Sequence, residues 1–211
     1  AGHEAKHAEN YRINSFHLGE GSPKQKFRAN MDAIYTLKAL ENQNRDATPE
    51  EQETLANYVG WGGLADAFDA EKTAWAGEYK ELKAALTEEE YAAARASTLN
   101  AHYTSPTVIR AIYEALDGMG FEKGNILEPS MGVGNFFGML PDSMMGSRLY
   151  GVELDSITGR IAQKLYPQAE IKVAGFETTD RRDFYDLAVG NVPFGNYRVS
   201  DKPYDKLGFS I

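Results

Sequence analysis

Four short apolar segments alternate with helical stretches in the second half of the chain, and this alternation restricts the fold more than any other feature. The predicted strands are Asn125–Glu128, Arg148–Glu153, Glu170–Ala174 and Tyr185–Gly190. Strands separated by helices form βαβ units with a parallel sheet, whose strands can be buried on both faces. About 20 residues follow the last segment in the 211-residue chain. The sequence therefore predicts a doubly wound α/β sheet, of which we expect only the first half to be present.

The first half of the chain carries helical signals and no obvious chemistry. Helix-start patterns, in which a hydroxyl side chain can cap the first turn, recur at Ser22-Pro23, Thr48–Glu51 and Thr87–Glu90. The segment Gly60–Leu64, Gly-Trp-Gly-Gly-Leu, interrupts these helices, and a buried tryptophan that fixes a tight turn is favoured over a binding loop. We therefore predict a helical N-terminal region over residues 1–99 and an α/β region over residues 100–211.

Charge and composition limit the partners and the location of the chain. The formal net charge is −9 and the pI is near 5.0, and no Lys/Arg cluster has the strength expected of a domain that grips DNA alone. No apolar run approaches the roughly 18 residues of a transmembrane helix, and we expect no secretion signal. Cysteine is absent, which excludes disulfides and thiolate metal sites. We expect a cytoplasmic protein without a membrane partner or a metal. Either the DNA-binding surface lies elsewhere in a longer protein, or the chain does not bind DNA.

An acidic residue followed by a glycine loop ends the first predicted strand. Glu128 opens the segment Glu-Pro-Ser-Met-Gly-Val-Gly, in which Gly132 and Gly134 would remove side chains where a ligand approaches the backbone. Ligands of open α/β sheets bind beyond the carboxyl ends of the strands. Phe137 replaces the third glycine of a dinucleotide fingerprint, and Glu128 would repel a pyrophosphate. The loop alone is as compatible with a simple turn as with a ligand site.

A second carboxylate favours the ligand site. Glu153 ends the second predicted strand, 25 residues after Glu128, where an acidic side chain can hydrogen-bond both hydroxyls of a ribose. S-adenosylmethionine carries an ammonium, a sulfonium and a ribose, so carboxylates at two strand ends suit it. The sequence therefore predicts S-adenosylmethionine as the cofactor, in preference to a mere surface role for Glu153.

The segment after the fourth predicted strand suits methyl transfer to an exocyclic amine. Such an amine must have its lone pair freed for in-line attack, which two acceptors aimed at its hydrogens achieve. The Asn191 side-chain oxygen and the Val192 carbonyl are suitable acceptors. Pro193 fixes the turn that carries them, and the ring of Phe194 can stack on a flipped-out base. The order of these groups along the chain therefore predicts a base methyltransferase.

These motifs resemble those of the amino-methyltransferase family that modifies adenine N6 in DNA. Its glycine-loop motif matches Glu128–Phe136, its ribose-binding acid matches Glu153, and its catalytic Asn-Pro-Pro-Tyr/Phe motif matches Asn191–Phe194. A further element with Thr and Pro, which contacts the methionine end of the cofactor, matches Tyr103–Pro106. The resemblance covers about residues 100–200 and implies a Rossmann-like class I methyltransferase fold. The catalytic residues it implies are Asn191, Val192, Pro193 and Phe194. The cofactor-binding residues it implies are Tyr103, Thr104, Glu128, Pro129, Gly132, Gly134, Asn135, Phe136, Glu153 and Phe176.

A narrower resemblance takes in the helical region. The segments Gly60–Leu64, Ala94–Thr104 and Gly190–Gly195 look like those of very large methyltransferase-helicase fusions of bacterial conjugative elements and phages, similar to phage anti-restriction proteins. In that group a helicase follows the methyltransferase. The resemblance implies that double-stranded DNA, with its target adenine flipped out, is gripped mainly by regions outside this chain, in agreement with the acidic charge.

Two positions depart from the family pattern. Val192 replaces the usual first proline of the catalytic motif, although its carbonyl survives. After the third strand the family often has an Asp that reads the cofactor's adenine amine, and Gly175 stands there instead. Phe176, which follows, can still pack on the adenine ring.

Three functions are compatible with these patterns. The first is an active adenine N6 methyltransferase of DNA. The second is a catalytically inactive DNA- or protein-binding module that kept the fold, as suggested by the altered motif and the net acidity. The third is methylation of RNA or of a protein glutamine with the same Asn-Pro-Pro chemistry. We favour the first.

Overall fold

The computed structural model describes residues 8–14, 19–98 and 104–191. Five helices precede the first strand: α1 (Pro23–Asn42), α2 (Pro49–Ala56), α3 (Ala76–Ala85), α4 (Glu88–Ser97) and α5 (Pro106–Gly118). Short 3₁₀ turns at Ala65–Phe68 and Thr73–Trp75 lie between α2 and α3. The predicted helical N-terminal region is therefore confirmed over its described residues.

The three predicted helix starts are capping boxes. Ser22, Thr48 and Thr87 each accept a hydrogen bond from the backbone N–H three residues on, and the side chain of that residue accepts from the capping residue's own N–H. Both bonds satisfy N–H groups that a helix end leaves unpaired. The local sequence alone therefore determines where α1, α2 and α4 begin.

The second half of the chain forms a four-stranded parallel sheet. Its strands are β1 (Asn125–Glu128), β2 (Arg148–Glu153), β3 (Glu170–Val173) and β4 (Leu187–Ala188), in the order β3-β2-β1-β4. A short helix α6 (Asn135–Gly138) follows β1, and α7 (Ser156–Leu165) connects β2 to β3. This order is that of the first four strands of a doubly wound sheet. The predicted α/β fold, with its Rossmann-like arrangement, is confirmed.

The fourth strand is shorter than predicted. Only Leu187 and Ala188 pair with β1, although Val189 N–H still donates to the Leu127 carbonyl at 2.9 Å. Tyr185, predicted to lie in this strand, instead packs with its ring 5.6 Å from that of Tyr150 on β2. The error has a physical reason, because an aromatic residue beside a strand can use its apolar surface for packing on a neighbour rather than for extending the ladder.

The helical region packs directly on the sheet region through α7. Helices α1 and α2 both contact α7, and the Arg160 guanidinium of α7 makes ion pairs with Glu41 at 3.2 Å and Glu90 at 2.8 Å. The N-terminal segment joins the same interface, because Tyr11 N–H donates to the Leu165 carbonyl at 2.8 Å. Buried apolar residues from both regions form one continuous cluster. No helix in the described part of the chain is both long enough and apolar enough to cross a membrane.

The glycine-flanked tryptophan of the helical region is a core residue, as favoured from the sequence. Trp61 is 1% exposed, and its ring makes edge contacts with Phe27, Tyr58 and Phe68 at centroid distances of 6.1, 6.4 and 5.3 Å. Positive φ angles at Gly60 and Gly63 are accessible without strain only to glycine. The glycines therefore allow a tight turn that places the Trp61 indole in the core.

Candidate ligand site at the strand ends

Two glutamates lie where β1 and β2 end, on neighbouring parallel strands. Glu128 pairs in register with Gly151, two residues before Glu153. Register positions that differ by two lie on the same face of a sheet, so both carboxylates lie on one face at one edge. The negative charge of Glu153 acts on Glu128. The structure therefore brings together the two acids predicted to face one ligand.

Glu128 is buried without a partner for one of its oxygens. The residue is 3% exposed, and its Oε2 has no hydrogen bond from any described residue. Burial first, and the nearby charge of Glu153 second, raise the pKa of Glu128 well above its ordinary value. A buried unpaired oxygen destabilises the folded state. Such a group is common where a ligand supplies the missing partner.

Glu153 is held in place by backbone donors. Its Oε2 accepts from Gly132 N–H at 2.7 Å, and its Oε1 accepts from Asp155 N–H at 2.8 Å. Burial raises the pKa of Glu153, while these two N–H groups oppose the rise and the Asp155 carboxylate adds to it. A carboxylate oxygen has two lone pairs, so each oxygen retains one acceptor position. The side chain is therefore fixed in orientation and can still bind a pair of hydroxyls.

The conformation of the glycine loop depends on packing in the core as well as on a contact with Glu153. Gly132 and Gly134 both have positive φ angles, 57° and 84°. A Cβ on Gly134 would lie 2.5 Å from Tyr166 Cε2 and 2.9 Å from Met131 Cε. The missing side chain of Gly134 therefore makes room for Tyr166, and the predicted role of Gly134 in ligand binding stays a prediction. Gly132 instead serves the site, through its N–H bond to Glu153.

The residues after the loop differ in their access to a ligand. Asn135, partly buried, is the first residue of α6. Phe136 is 1% exposed, its ring lies 6.1 Å from that of Tyr113, and its carbonyl accepts from the Tyr113 hydroxyl at 2.8 Å. The Phe136 side chain, predicted to bind the cofactor, is therefore committed to the core under α5. The sequence pattern could not separate these roles, because both require an aromatic residue at that position.

The chain after β4 returns to the end of β1. A Cβ on Gly190 would lie 3.5 Å from Pro129 Cδ and 3.7 Å from Glu128 Cγ. Asn191 follows directly and is exposed. The structure thus places Asn191 at the same edge of the sheet as Glu128. The other predicted catalytic residues, Val192, Pro193 and Phe194, lie outside the described residues.

The element before β1 is described only in part. Thr104, partly buried, precedes Ser105, whose hydroxyl accepts from Val108 N–H at the start of α5. Tyr103 lies outside the described residues. The predicted contact of this element with a cofactor therefore remains a prediction.

Two exposed apolar side chains follow the ends of β2 and β3. Phe176, predicted to pack on an adenine ring, is 50% exposed after β3, and Leu154 is 76% exposed directly after Glu153. Exposed apolar side chains beside a polar site commonly line a ligand groove. The sequence analysis did not single out Leu154. A large aliphatic residue directly after a strand-terminal acid was the signal that could have found it.

Comparisons with known proteins find two relatives in sequence. No family model matches the chain. It is 29% identical over 192 residues, 88% of its length, to the Defense against restriction protein B of Escherichia phage P1. It is 34% identical over 92 residues, 44% of its length, to the type II methyltransferase M.CvrRI of Paramecium bursaria Chlorella virus XZ-6E. The chain is therefore similar in sequence both to an anti-restriction protein and to a methyltransferase.

The chain corresponds to small parts of these relatives. It spans 7% of the length of the phage protein and 24% of the viral methyltransferase. Among solved structures, it resembles a protein from Listeria monocytogenes assigned as a class I S-adenosylmethionine-dependent methyltransferase. That likeness has a TM-score of 0.40 at 12% identity and covers 88% of this chain and 64% of the other.

Proposed function

We propose that this chain binds S-adenosylmethionine at the ends of β1 and β2 and transfers its methyl group to N6 of adenine in DNA. One observation carries the proposal: the unpartnered, buried Oε2 of Glu128 lies at the end of β1, with Glu153 on the next strand. Similarity to a viral type II methyltransferase and to a phage anti-restriction protein supports it.

The charges at the strand ends favour a cationic ligand. The partly buried Glu153 disfavours ionisation of the buried Glu128. Neighbouring carboxylates repel phosphates, whereas an ammonium or a sulfonium favours their ionised form. In the proposed complex, Glu128 meets the positive end of the cofactor, and the free acceptor positions of Glu153 bind the ribose hydroxyls. Leu154 and Phe176, exposed after the ends of β2 and β3, pack on the adenine ring, and Gly132 keeps Glu153 oriented.

The proposed chemistry needs alignment rather than covalent catalysis. When bound, S-adenosylmethionine supplies an electrophilic methyl group. The Asn191 amide oxygen and the Val192 carbonyl accept the two hydrogens of the target amine, so that its lone pair points at the methyl carbon. Pro193 holds the turn, and Phe194 stacks on the flipped-out adenine. The amine nitrogen would gain the methyl group that the sulfonium gives up, and the methylated nitrogen would release one proton to solvent.

DNA binding is proposed to depend on a longer protein. The net charge of −9 is unfavourable for gripping phosphates, because phosphate neutralisation supplies much of the affinity for DNA. The 7% share of the phage relative that the chain spans is compatible with a much larger protein. We propose that regions outside this chain, including a downstream helicase, hold double-stranded DNA, and that the whole acts in the cytoplasm.

Calorimetry tests cofactor binding directly. Titrating S-adenosylmethionine into the full chain in two buffers of different ionisation enthalpy should show binding with proton release, because the cation shifts Glu128 to its charged form. Adenosine diphosphate, which is anionic, should not bind. Absence of S-adenosylmethionine binding, together with no labelled methyl group in DNA supplied with the full-length protein, would reject the enzyme in favour of an inactive binding module.

Asn191→Ala tests the catalytic assignment. Removing one of the two acceptors for the amine should lower the rate of methyl transfer by about a hundredfold or more, as for other pre-positioned hydrogen-bonding groups. The dissociation constant for S-adenosylmethionine should not change. Asn42→Ala, at the exposed end of α1, is the matched control. Equal methyl incorporation into DNA by the two variants would remove Asn191 from the mechanism.

A further inference from the structure

A glycine lies inside α7, the helix that follows Glu153. Gly159 is the fourth residue of this ten-residue helix, and it is buried. Glycine destabilises a helix interior relative to alanine, because its backbone loses more freedom on folding and it packs no side chain. The presence of glycine at this position therefore calls for a reason in the packing around it.

The space that a side chain on Gly159 would need is filled by the ends of two strands. A Cβ at this position would lie 2.9 Å from Cγ2 and 3.2 Å from Cγ1 of Val173 on β3. It would lie 3.4 Å from Cβ of Glu153 on β2. Val173 and Glu153 are partners in the register of the two strands. The missing side chain therefore lets α7 approach both strand ends closely, directly beside Glu153.

Two other helical glycines have a different environment. Gly77 is the second residue of α3, and Gly118 is the last residue of α5. A Cβ on either of them would meet no heavy atom within 4 Å beyond the local backbone. Of these three helical glycines, Gly159 is the one whose missing side chain is required by a neighbouring element.

The position of α7 determines how one oxygen of Glu153 is held. Gly159 N–H donates to the Asp155 carbonyl at 2.9 Å, in the first turn of the helix. The Asp155 side chain caps this turn, because its Oδ1 accepts from Thr158 N–H at 2.8 Å and from the Thr158 hydroxyl at 2.6 Å. Asp155 N–H then donates to Glu153 Oε1 at 2.8 Å. A shift of Gly159 away from the strands would therefore move the donor that orients Glu153.

The other oxygen of Glu153 is held by a different element. Its Oε2 accepts from Gly132 N–H of the glycine loop at 2.7 Å. A carboxylate that binds two adjacent hydroxyls must present both oxygens at a fixed angle. Displacement of the α7 donor alone, with the Gly132 donor unchanged, is therefore enough to turn the carboxylate away from such a pair.

We propose that Gly159 is a positioning residue for the cofactor: its missing side chain seats α7 against β2 and β3, so that Glu153 faces the two ribose hydroxyls. The inference rests on the proposed function, because it assumes that Glu153 binds the ribose. A glycine required only for packing would affect the stability of the fold, whereas a positioning residue affects the recognition of the hydroxyls.

Gly159→Ala tests this role with two ligands that differ only at the ribose. S-adenosylhomocysteine carries both ribose hydroxyls, and its dideoxy analogue lacks them. Calorimetry on the full chain should show that the wild type prefers S-adenosylhomocysteine. In Gly159→Ala this preference should fall about threefold to tenfold, because Glu153 no longer meets both hydroxyls. The dissociation constant of the dideoxy analogue should be the same for the two chains.

Two further variants are the control and the rescue. Gly77→Ala adds the same methyl group where it meets no neighbour, and it should leave both dissociation constants unchanged. Val173→Ala removes the two carbons nearest to the added methyl group. The double variant Gly159→Ala with Val173→Ala should therefore regain most of the lost preference. A double variant that discriminates no better than Gly159→Ala would contradict the inference.

The outcomes separate the inference from the proposed function. If the wild type does not bind S-adenosylmethionine, the proposed function fails and the inference with it. If the wild type binds it and Gly159→Ala keeps the full preference for the hydroxyls, only the inference fails. Equal weakening of both ligands would also overturn the inference, because the effect would then not pass through the ribose. A Gly159→Ala chain that thermal melts show to be unfolded, while the double variant folds, would assign Gly159 to packing alone.

Discussion

Two buried glutamates, one in each half of the molecule, show opposite solutions to the burial of a carboxylate. Glu90, at the interface of the helical region with α7, is 8% exposed, and Glu128, at the end of β1, is 3% exposed. Glu90 Oε2 accepts from Thr87 N–H and from Lys38, each at 3.0 Å, and Oε1 accepts from Arg160 at 2.8 Å. Glu128 Oε2 has no partner among the described residues.

The protonation of the two side chains follows from their surroundings. Burial acts to raise the pKa of Glu90, but the Thr87 N–H, the Lys38 ammonium and the Arg160 guanidinium outweigh it, so the pKa is lowered. For Glu128, burial and the neighbouring acid act in the same direction and raise the pKa. A carboxylate surrounded by its own partners serves the fold, whereas one left without a partner is available to a ligand.

Of the variants that test this comparison, Glu90→Ala should change the unfolding free energy most. Among the described residues, Glu90 forms ion pairs with both Lys38 and Arg160. Its side chain also forms one half of the α4 capping box. Glu90→Ala removes both kinds of contact. The unfolding free energy should fall by about 2–4 kcal/mol, because Lys38 loses its ion-pair partner, Arg160 keeps only its described ion pair with Glu41, and α4 loses part of its cap. Urea denaturation measures this, with Glu89→Ala, an exposed neighbour on α4, as control. A loss no larger than that of the control would contradict the interface role.

A second variant tests whether the core also shapes the strand-end region. Gly134→Ala forces a side chain into Tyr166 and Met131 at a positive φ of 84°, whereas Gly120→Ala has a nearly equal φ of 82° and open space. The backbone strain is common to both and should cost about 1 kcal/mol. Crowding should add about 1–3 kcal/mol at Gly134 only. Equal losses in thermal or urea unfolding would mean that Tyr166 does not constrain the loop.

The smallest expected change in stability is a gain, whereas the two preceding variants lose stability. Glu128→Gln removes a group that is buried as an acid without a partner, so we expect the unfolding free energy at pH 8 to rise by about 1 kcal/mol, or roughly 2–4 °C in Tm for a chain of this size. S-adenosylmethionine binding should weaken at least about tenfold, because the compensating charge is lost. Stability and ligand affinity would thus change in opposite directions.

The expected gain in the unfolding free energy of Glu128→Gln depends on pH. Because the folded pKa of Glu128 is raised, its contribution to stability is complete below the unfolded pKa of about 4.3 and is lost as pH rises through the folded value. The advantage of Glu128→Gln should therefore vanish near pH 4 and grow with pH. Exposed Glu122→Gln is the control. An advantage that is the same at pH 4 and pH 8 would show that Glu128 is not buried as a neutral acid.

Much of the fold could be predicted because its determinants are local. A serine before a proline placed the start of α1 within one residue, and threonines followed by Glu three positions later did the same for α2 and α4, since capping depends on neighbours in the chain. Apolar runs bounded by turn residues located β1 and β2. The two acids of the candidate site were predictable for the same reason, because residues that end adjacent parallel strands meet at one edge.

What the sequence by itself determined were the strands, the helix starts and the two strand-terminal acids, all of which depend on residues close together in the chain. Only the tertiary structure decided that Glu128 Oε2 lacks a partner among the described residues, that Tyr166 fills the space beside Gly134, and that the Phe136 side chain belongs to the core. Each of these depends on which side chains, distant in sequence, occupy the same space. A pattern of residue types specifies the direction of a side chain, but its burial and its partners are fixed only when the packed elements exclude water around it.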